Sequence, residues 1–311
     1  MTCYHPLLAY KLTDSNGNVK VKVIRQAVFD DDLEFVPPYY HDGYLVQKLN
    51  LPCGKCIGCR LENSRQWAIR CIHEAQMYSR NAFLTLTYDN AHLPEDMSLH
   101  KEHLQKFWKR LRKYLGDQKI RYYACGEYGS KFERPHYHAC VFNYWPDDAK
   151  LWSIRGGSRL FVSPTLAKLW PFGFHSVGEV TFDSAAYCAR YILKKVNGDK
   201  SEEHYKGREP EFVVMSRRPG IGHDWLMKYH SDVYGDDCTI PDYVVVRDNF
   251  KCRPPRYYDK IYDVELDGDM DYLRNIRMDK LSSSVSLDIL HRKELYKELD
   301  LLNLKRRYEG Y

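Results

Sequence analysis

The run Pro135–Phe142 (PHYHACVF) holds two histidines, His136 and His138, separated by one residue. Its aromatic and apolar side chains predict a β-strand, and residues two apart on a strand point to the same face. Both imidazoles can therefore converge on one divalent cation, while Tyr137 faces the other layer. Glu127, at the end of the preceding predicted strand, can add a carboxylate. The spacing also allows a plainer interpretation, in which the pair is two polar residues on a half-exposed strand.

A predicted helix over residues 184–197 carries two tyrosines one turn apart, Tyr187 and Tyr191. At about 100° per residue its apolar side chains fall on one side, and the tyrosines fall on the opposite side among cations. We therefore expect both phenols to face away from the core. A phenol has a reference pKa of about 10, and a nearby cation favours the nucleophilic phenolate. The neighbouring cations are Arg190, Lys194 and Lys195.

These two groups of side chains fit one reaction, the cleavage of a phosphodiester. A divalent ion polarises the phosphate, Tyr187 or Tyr191 attacks it, and the 3′ oxygen leaves. The resulting 5′-phosphotyrosine conserves the bond energy, so rejoining needs no ATP. Lys194, or alternatively Lys195, is expected to contact the phosphate, and Arg190 is expected to contact the DNA with Lys195.

Three cysteines, Cys53, Cys56 and Cys59, stand at two-residue gaps with glycines between them. Zinc takes four ligands in structural sites, so the amino terminus would have to return with Cys3, or less favourably His5, to complete the set. Free thiols in a reducing cell are the alternative interpretation, and a redox role is a third. The spacing predicts a tentative structural zinc site.

A second predicted helix, over residues 99–115, has an apolar stripe and a densely basic opposite side. Such a side is usually a solvated surface, but beside a phosphodiester site it becomes a candidate contact for the DNA backbone. The cations proposed for this contact are Lys106, Lys109, Arg110 and Lys113.

The composition suits a folded chain of one or two domains. Of its 311 residues, 44% are hydrophobic and 29% charged, which argues against a wholly disordered protein. The net charge of +5 is too small to indicate a partner by itself. No apolar run is long enough for a membrane-spanning helix, and residues 1–6 lack the features of a secretory signal, so we expect a cytoplasmic location.

The order of predicted elements, strand–helix–strand–strand–helix, indicates an α+β fold with an antiparallel central sheet and flanking helices. Residues 1–60 form a β-rich, cysteine-containing N-terminal extension, in which residues 14–17 predict a hairpin turn. Residues 61–200 form the catalytic domain, with an insertion at 144–163. Residues 201–311 form a mixed C-terminal region that ends in a helix.

With these motifs in hand, the chain resembles the HUH superfamily of single-strand endonucleases. More closely, it is similar to the rolling-circle replication initiators of microviruses, the gokushovirus type of single-stranded DNA phage. The resemblance rests on Phe83–Tyr88 (FLTLTY), on Gly126–Gly129 (GEYG), on Pro135–His138 and on the two-tyrosine run from Tyr187 to Lys195. Tyr137 departs from the usual aliphatic residue between the histidines.

The resemblance implies an RRM/ferredoxin-like HUH fold and an enzyme that nicks a single-stranded viral origin with Mg²⁺ or Mn²⁺. The enzyme would stay on the 5′ end and later rejoin unit-length circles. The chain has no G-x-x-x-x-G-K-[ST] motif, so unwinding would fall to a host helicase. The alternatives are a transposase or relaxase-like member of the superfamily, or a non-catalytic zinc-containing protein that binds nucleic acid.

Overall fold

The computed structural model describes residues 3–24, 36–129, 131–190, 200–235, 241–246, 249–279 and 286–303. The chain divides into two compact units, the first made of Met1–Asn63 and Asp269–Lys305 and the second of Ser64–Gly268 and Arg306–Tyr311. None of the helices in the described part of the chain combines the length and apolar character that crossing a bilayer requires.

The described residues form thirteen strands and nine helices. The strands are β1 (Leu7–Thr13), β2 (Val19–Ile24), β3 (Tyr39–His41), β4 (Tyr44–Leu51), β5 (Asn81–Thr87), β6 (Arg121–Tyr128), β7 (Pro135–Phe142), β8 (Lys150–Arg155), β9 (Ser158–Val162), β10 (His175–Glu179), β11 (Phe212–Met215), β12 (Val244–Val245) and β13 (Lys251–Cys252). The helices are α1 (Ile57–Gln76), α2 (Lys101–Leu115), α3 (Pro164–Leu169), α4 (Phe182–Arg190), α5 (Lys200–Tyr205), α6 (His223–Tyr234), α7 (Arg256–Val264), α8 (Met270–Asp279) and α9 (Leu287–Asn303).

The first unit contains a four-stranded antiparallel sheet in the order β2-β1-β4-β3. The predicted hairpin joins β1 to β2. In its turn, the Asp14 carboxylate accepts the backbone N–H groups of Asn16 and Asn18 at 2.9 and 2.8 Å. Such a bond between a side chain and the nearby backbone fixes a tight turn, which is why the DSNG sequence predicts one.

The second unit is built on a seven-stranded sheet in the order β11-β6-β7-β5-β10-β9-β8, in which every neighbouring pair is antiparallel. The predicted α+β class with an antiparallel sheet and several helices is therefore confirmed. Residues 144–163, predicted as an insertion, contribute the hairpin β8–β9 to one edge of this sheet.

Helices cover both faces of this sheet, which we call the α2 face and the α4 face. The α2 face packs against α2 and α3, and the α4 face packs against α1 and α4. Strand β7 alternates between them as a strand must: Tyr137, Ala139 and Val141 join the α2-face core, and Cys140 and Phe142 join the α4-face core. The even-numbered residues of β7, which include both histidines, therefore point towards α4.

Tyr137 holds this orientation of β7 in place. Its ring is fully buried on the α2 face, and its hydroxyl donates to the carbonyl oxygen of His100 and accepts from the N–H of the same residue, both at 3.0 Å. A one-residue slip of β7 would bury His136 and His138 in the apolar α2-face core and break these bonds. The predicted packing role of Tyr137, facing away from the histidines, is confirmed.

Candidate metal and nucleophile site

Three side chains that can bind a metal meet at the end of β6 and the start of β7. The register sets Glu127 opposite His136, and the carboxylate Oε1 lies 2.7 Å from the Nε2 of His136 and 3.0 Å from the Nε2 of His138. Glu127 and His138 are buried, and His136 is half-buried. The sequence-predicted ligand atoms are thus brought within 4.8 Å of one another.

The chemistry of these donor atoms fits a divalent cation. The Nδ1 of His136 lies 3.1 Å from the carbonyl oxygen of Arg134, which can only accept, so this Nδ1 carries the ring hydrogen. In the neutral ring the Nε2 lone pair then points at a carboxylate oxygen, which is repulsive unless the group shares a proton or a metal ion. Neighbouring ligands of an octahedral ion with bonds of about 2.1 Å lie about 3 Å apart. The spacing of Glu127 and the two imidazoles is close to this.

Glu127 is held in the charged form that a metal requires. Burial raises the pKa of its carboxyl, but the neighbouring His136 and His138 outweigh that effect and lower the pKa to about 2. On the far side of the pair, the Nδ1 of His138 lies 3.0 Å from the Thr85 hydroxyl of β5. Such a contact fixes the orientation of a metal-binding ring. Sequence reasoning missed Thr85, whose only signal was the alternation of threonines in FLTLTY.

Tyr187 of α4 lies directly against this group. Its hydroxyl donates to the Glu127 Oε1 at 3.5 Å, the outer limit of a hydrogen bond, and its ring stands perpendicular to that of His138 with centroids 5.0 Å apart. The side chain is only 4% exposed. The expectation that this phenol faces away from the protein interior is therefore wrong. The α4 face of the sheet is polar where the histidines lie, so a polar aromatic side chain packs there too.

The remainder of α4 anchors the position of Tyr187. Ala185, Cys188 and Ala189 are fully buried, as the helical wheel predicts, and the Cys188 Sγ lies 3.4 Å from the Cys125 Sγ of β6. The start of the helix is fixed by Thr181 and Ser184, which bind each other's N–H groups through their side-chain oxygens at 2.8 and 3.2 Å. This reciprocal arrangement is the capping pattern of a helix start.

Several predicted site residues cannot be placed beside the triad. Tyr191, Lys194 and Lys195 lie outside the described residues, so their roles stay predictions. Arg190, the last described residue of α4, is half-buried.

The basic side of α2 lies across the sheet from the histidines, because α2 covers the opposite face. Lys106, Lys109 and Lys113 are exposed there, whereas Arg110 is half-buried and donates its Nε–H to the carbonyl oxygen of Leu169 at 2.7 Å. A contact between this helix and DNA stays a prediction, and it would involve DNA on the α2 face rather than at the triad.

A second group of donor atoms lies in the first unit, where the thiols of Cys3, Cys53, Cys56 and Cys59 converge. The Sγ atoms of Cys3 and Cys56 are 3.9 Å apart, and those of Cys53 and Cys59 are 4.0 Å apart. A tetrahedral ion with bonds of about 2.3 Å to sulfur separates its ligands by about 3.8 Å. All four are free thiols, so this group can hold a metal.

Backbone N–H groups surround these sulfur atoms, as in a metal knuckle. Cys53 accepts from the N–H of Cys56 at 3.3 Å, and Cys56 accepts from those of Tyr4 and Cys59 at 3.4 and 3.5 Å. Burial raises the pKa of the Cys56 thiol, but these N–H groups overcome it and lower the pKa to about 7. The imidazole of His5 instead pairs with the Glu294 carboxylate at 2.6 Å, so Cys3 is the fourth member of the group.

Comparison with known proteins decides the family. The family model for replication-associated proteins of the ORF2 type matches residues 81–196, which contain both the triad and Tyr187. Replication-associated protein VP4 of Bdellovibrio phage phiMH2K is 38% identical over 219 residues, which are 68% of this chain and 67% of the relative. For replication-associated protein ORF2 of Spiroplasma virus 4, the identity is 36% over 241 residues, 73% of each chain. The chain belongs to the replication-associated protein family.

A third member of the replication-associated proteins, ORF4 of Chlamydia phage 1, is 30% identical over 287 residues, 84% of this chain and 70% of the relative. The resemblance to the replication initiators of small single-stranded DNA phages is therefore confirmed. No solved structure matches the chain. Within this replication-associated protein, the family match begins at Asn81, the first residue of β5, and so takes in every strand that supplies a triad side chain.

Proposed function

We propose that this protein is a metal-dependent, site-specific single-stranded DNA endonuclease and joining enzyme. It starts and ends rolling-circle replication through a 5′-phosphotyrosine intermediate. The observation that carries the proposal is the Tyr187 hydroxyl 3.5 Å from the carboxylate of the Glu127–His136–His138 group, within a chain of the replication-associated protein family.

In this proposal Glu127, His136 and His138 hold Mg²⁺ or Mn²⁺. The bound ion would polarise the scissile phosphate and offset the charge that develops on it. Oxygen-preferring ions accept this mixed set of one carboxylate and two imidazoles, with water and phosphate oxygens completing the coordination.

Tyr187 supplies the attacking oxygen. A bond forms between its Oη and the phosphorus, the bond from phosphorus to the 3′ oxygen breaks, and the phenolic proton passes to water while the 3′ oxygen takes one up. The strand is left with a free 3′ hydroxyl and a 5′ end linked to the protein. Attack by a 3′ hydroxyl on that link reverses the reaction and closes a circle.

The remaining predicted roles belong to the same proposal. Tyr191 serves as the second nucleophile, Lys194 contacts the phosphate, and Arg190 and Lys195 contact the DNA backbone. Residues 61–200 form a catalytic domain of the HUH type, with 1–60 as an N-terminal extension and 201–311 as a C-terminal region. The enzyme acts in the host cytoplasm on a single-stranded origin, and a host helicase unwinds the duplex.

The test is a search for a covalent adduct. The full-length protein is incubated with labelled single-stranded DNA of its own phage genome and Mn²⁺, then denatured and separated on a gel. We expect a labelled band that survives denaturation, that requires the metal, and whose peptide mass names Tyr187 or Tyr191. Absence of an adduct with either Mg²⁺ or Mn²⁺ would favour the non-catalytic nucleic-acid-binding protein.

We further propose that the four-thiol group in the first unit binds structural zinc. Zinc bound there links residue 3 to residues 53–59 and so stabilises the fold of the first unit, because a structural site contributes its binding free energy to folding.

The zinc proposal predicts the metal content and stability of a variant. Protein purified under reducing conditions is expected to hold about one zinc per chain, and Cys56→Ser is expected to lose it. The free energy of unfolding should fall by several kcal/mol as the ion is lost. Atomic emission and thermal unfolding measure the two effects. Cys252→Ser, which changes a half-buried thiol outside the group, is the control. Stoichiometric zinc in the Cys56→Ser protein would contradict the assignment.

A further inference from the structure

An exposed tryptophan lies at the edge of the sheet that carries the triad. Trp152 belongs to β8, is 43% exposed, and rests on Phe174 with ring centroids 4.9 Å apart. An aromatic ring of this size is usually buried, and its exposure on a well-formed strand indicates a contact surface.

The backbone of β8 directs this side chain. Leu151 pairs with Phe161 and Ser153 pairs with Leu160, so Trp152 is the extra residue of a β-bulge. A bulge rotates the strand locally and re-aims one side chain, and bulges are frequent beside functional sites. The bulge accounts for a tryptophan that stands on Phe174 instead of following the alternation of β8.

Phe174 shares a face of the sheet with the triad. The N–H of Thr87 donates to the carbonyl oxygen of Phe174 at 2.8 Å, so these two residues lie opposite each other, and Thr87 is paired with His136. Directly paired residues of an antiparallel sheet point to the same side. One row on the α4 face therefore runs from Glu127 through His136 and Thr87 to Phe174, and Trp152 continues it.

The distance along this row suits one strand of DNA. Two strand spacings separate His136 from Phe174, which is about 10 Å. A single strand whose phosphate lies at the triad can therefore lay a nearby base on the row. Lys150, two residues from Trp152, is exposed and can pair with a phosphate of the same strand.

We propose that Trp152, supported by Phe174, stacks a base of the single-stranded DNA close to the phosphate that the triad holds. This inference rests on the proposed function, because it assigns the substrate contact of that same site. Stacking on an indole tolerates any base, so the platform positions the strand and leaves the choice of sequence to other contacts.

The experiment measures DNA binding without cleavage. A fluorescein-labelled oligothymidylate of about fifteen nucleotides is titrated with protein in EDTA, and the Kd is read from fluorescence anisotropy. Trp152→Ala is expected to raise the Kd about tenfold, and Trp152→Phe, which keeps an aromatic face, less than about threefold. Tyr114→Ala is the matched control, since Tyr114 is 57% exposed on α2 at the opposite face, and it should leave the Kd unchanged.

Thermal unfolding of each variant shows whether the fold is intact. An unchanged Kd in a folded Trp152→Ala protein overturns the proposal, as does an equal loss of affinity in Tyr114→Ala. A change of oligomeric state by light scattering without a change in Kd would mark the surface as a protein contact and also overturn it. The adduct assay on the wild-type protein separates the two proposals. An adduct with no effect of Trp152→Ala rejects the platform alone, and weaker binding without any adduct rejects the endonuclease alone.

Discussion

Replacing Tyr187 and Tyr191 together by phenylalanine is expected to remove the covalent protein–DNA adduct and to lower DNA cleavage by at least about 10³-fold. The double substitution deletes the two candidate nucleophilic oxygens and leaves both rings. The perpendicular contact between the ring of Tyr187 and His138 is retained, so the fold and the metal group should be unaffected. Gel analysis of end-labelled DNA measures cleavage, and anisotropy in EDTA measures binding, which should stay within about twofold of wild type.

The control for this double variant removes a hydroxyl on the opposite face of the sheet. Tyr122 of β6 stacks on Trp108 at 4.2 Å in the α2-face core, and Tyr122→Phe is expected to form the adduct normally. Each single variant should still form an adduct through the remaining tyrosine if the two residues alternate. An adduct in the double variant would show that the nucleophile lies elsewhere in the chain.

The second large effect is expected from Glu127→Gln, which keeps the shape of the side chain and removes its charge. An amide is a poor ligand for a divalent ion beside two imidazoles, so saturable Mn²⁺ binding should be lost, and cleavage should fall about 10²- to 10³-fold or more. Calorimetric titration with Mn²⁺ measures the first effect and the labelled-DNA assay the second. Binding to single-stranded DNA in EDTA should remain, because metal and backbone contacts are separate.

Glu179→Gln provides the comparison for Glu127→Gln, since Glu179 is an exposed carboxylate on the neighbouring strand β10. It should bind Mn²⁺ and cut DNA as the wild type does. Removing both His136 and His138 is a less discriminating test, because it leaves the buried Glu127 charge without partners and is expected to destabilise the fold by about 3–5 kcal/mol. If Glu127→Gln retained both Mn²⁺ binding and cleavage, the carboxylate would not be a ligand.

The strand that carries the histidines could be predicted in detail because its periodicity is two. Alternation alone places His136 and His138 on one side and Tyr137 on the other, and the structure has this arrangement. Glu127 followed from the preceding strand, because a short connection between neighbouring strands brings their adjoining ends together. The thiol group followed from local spacing in the same way, although its fourth member came from fifty residues away.

The helices were harder to predict, because a helical wheel separates apolar from polar sides but does not reveal what the polar side meets. Tyr187 was expected to face away from the protein and instead packs against His138. The wheel of α2 likewise identified its basic side without showing that the helix covers the opposite face of the sheet. The bulge at Trp152 depends on the pairing of β8 with β9, which the sequence of β8 alone does not contain.

The shelter around Tyr187 bears on the lifetime of a protein-linked strand. Hydrolysis of a phosphotyrosine needs a water molecule behind the phosphorus, and bulk solvent barely reaches this ring. On the proposed function, a sugar hydroxyl delivered by the DNA itself then competes well against water for the link. The same burial that keeps the phenol from the surface would thereby favour sealed circles over broken genomes.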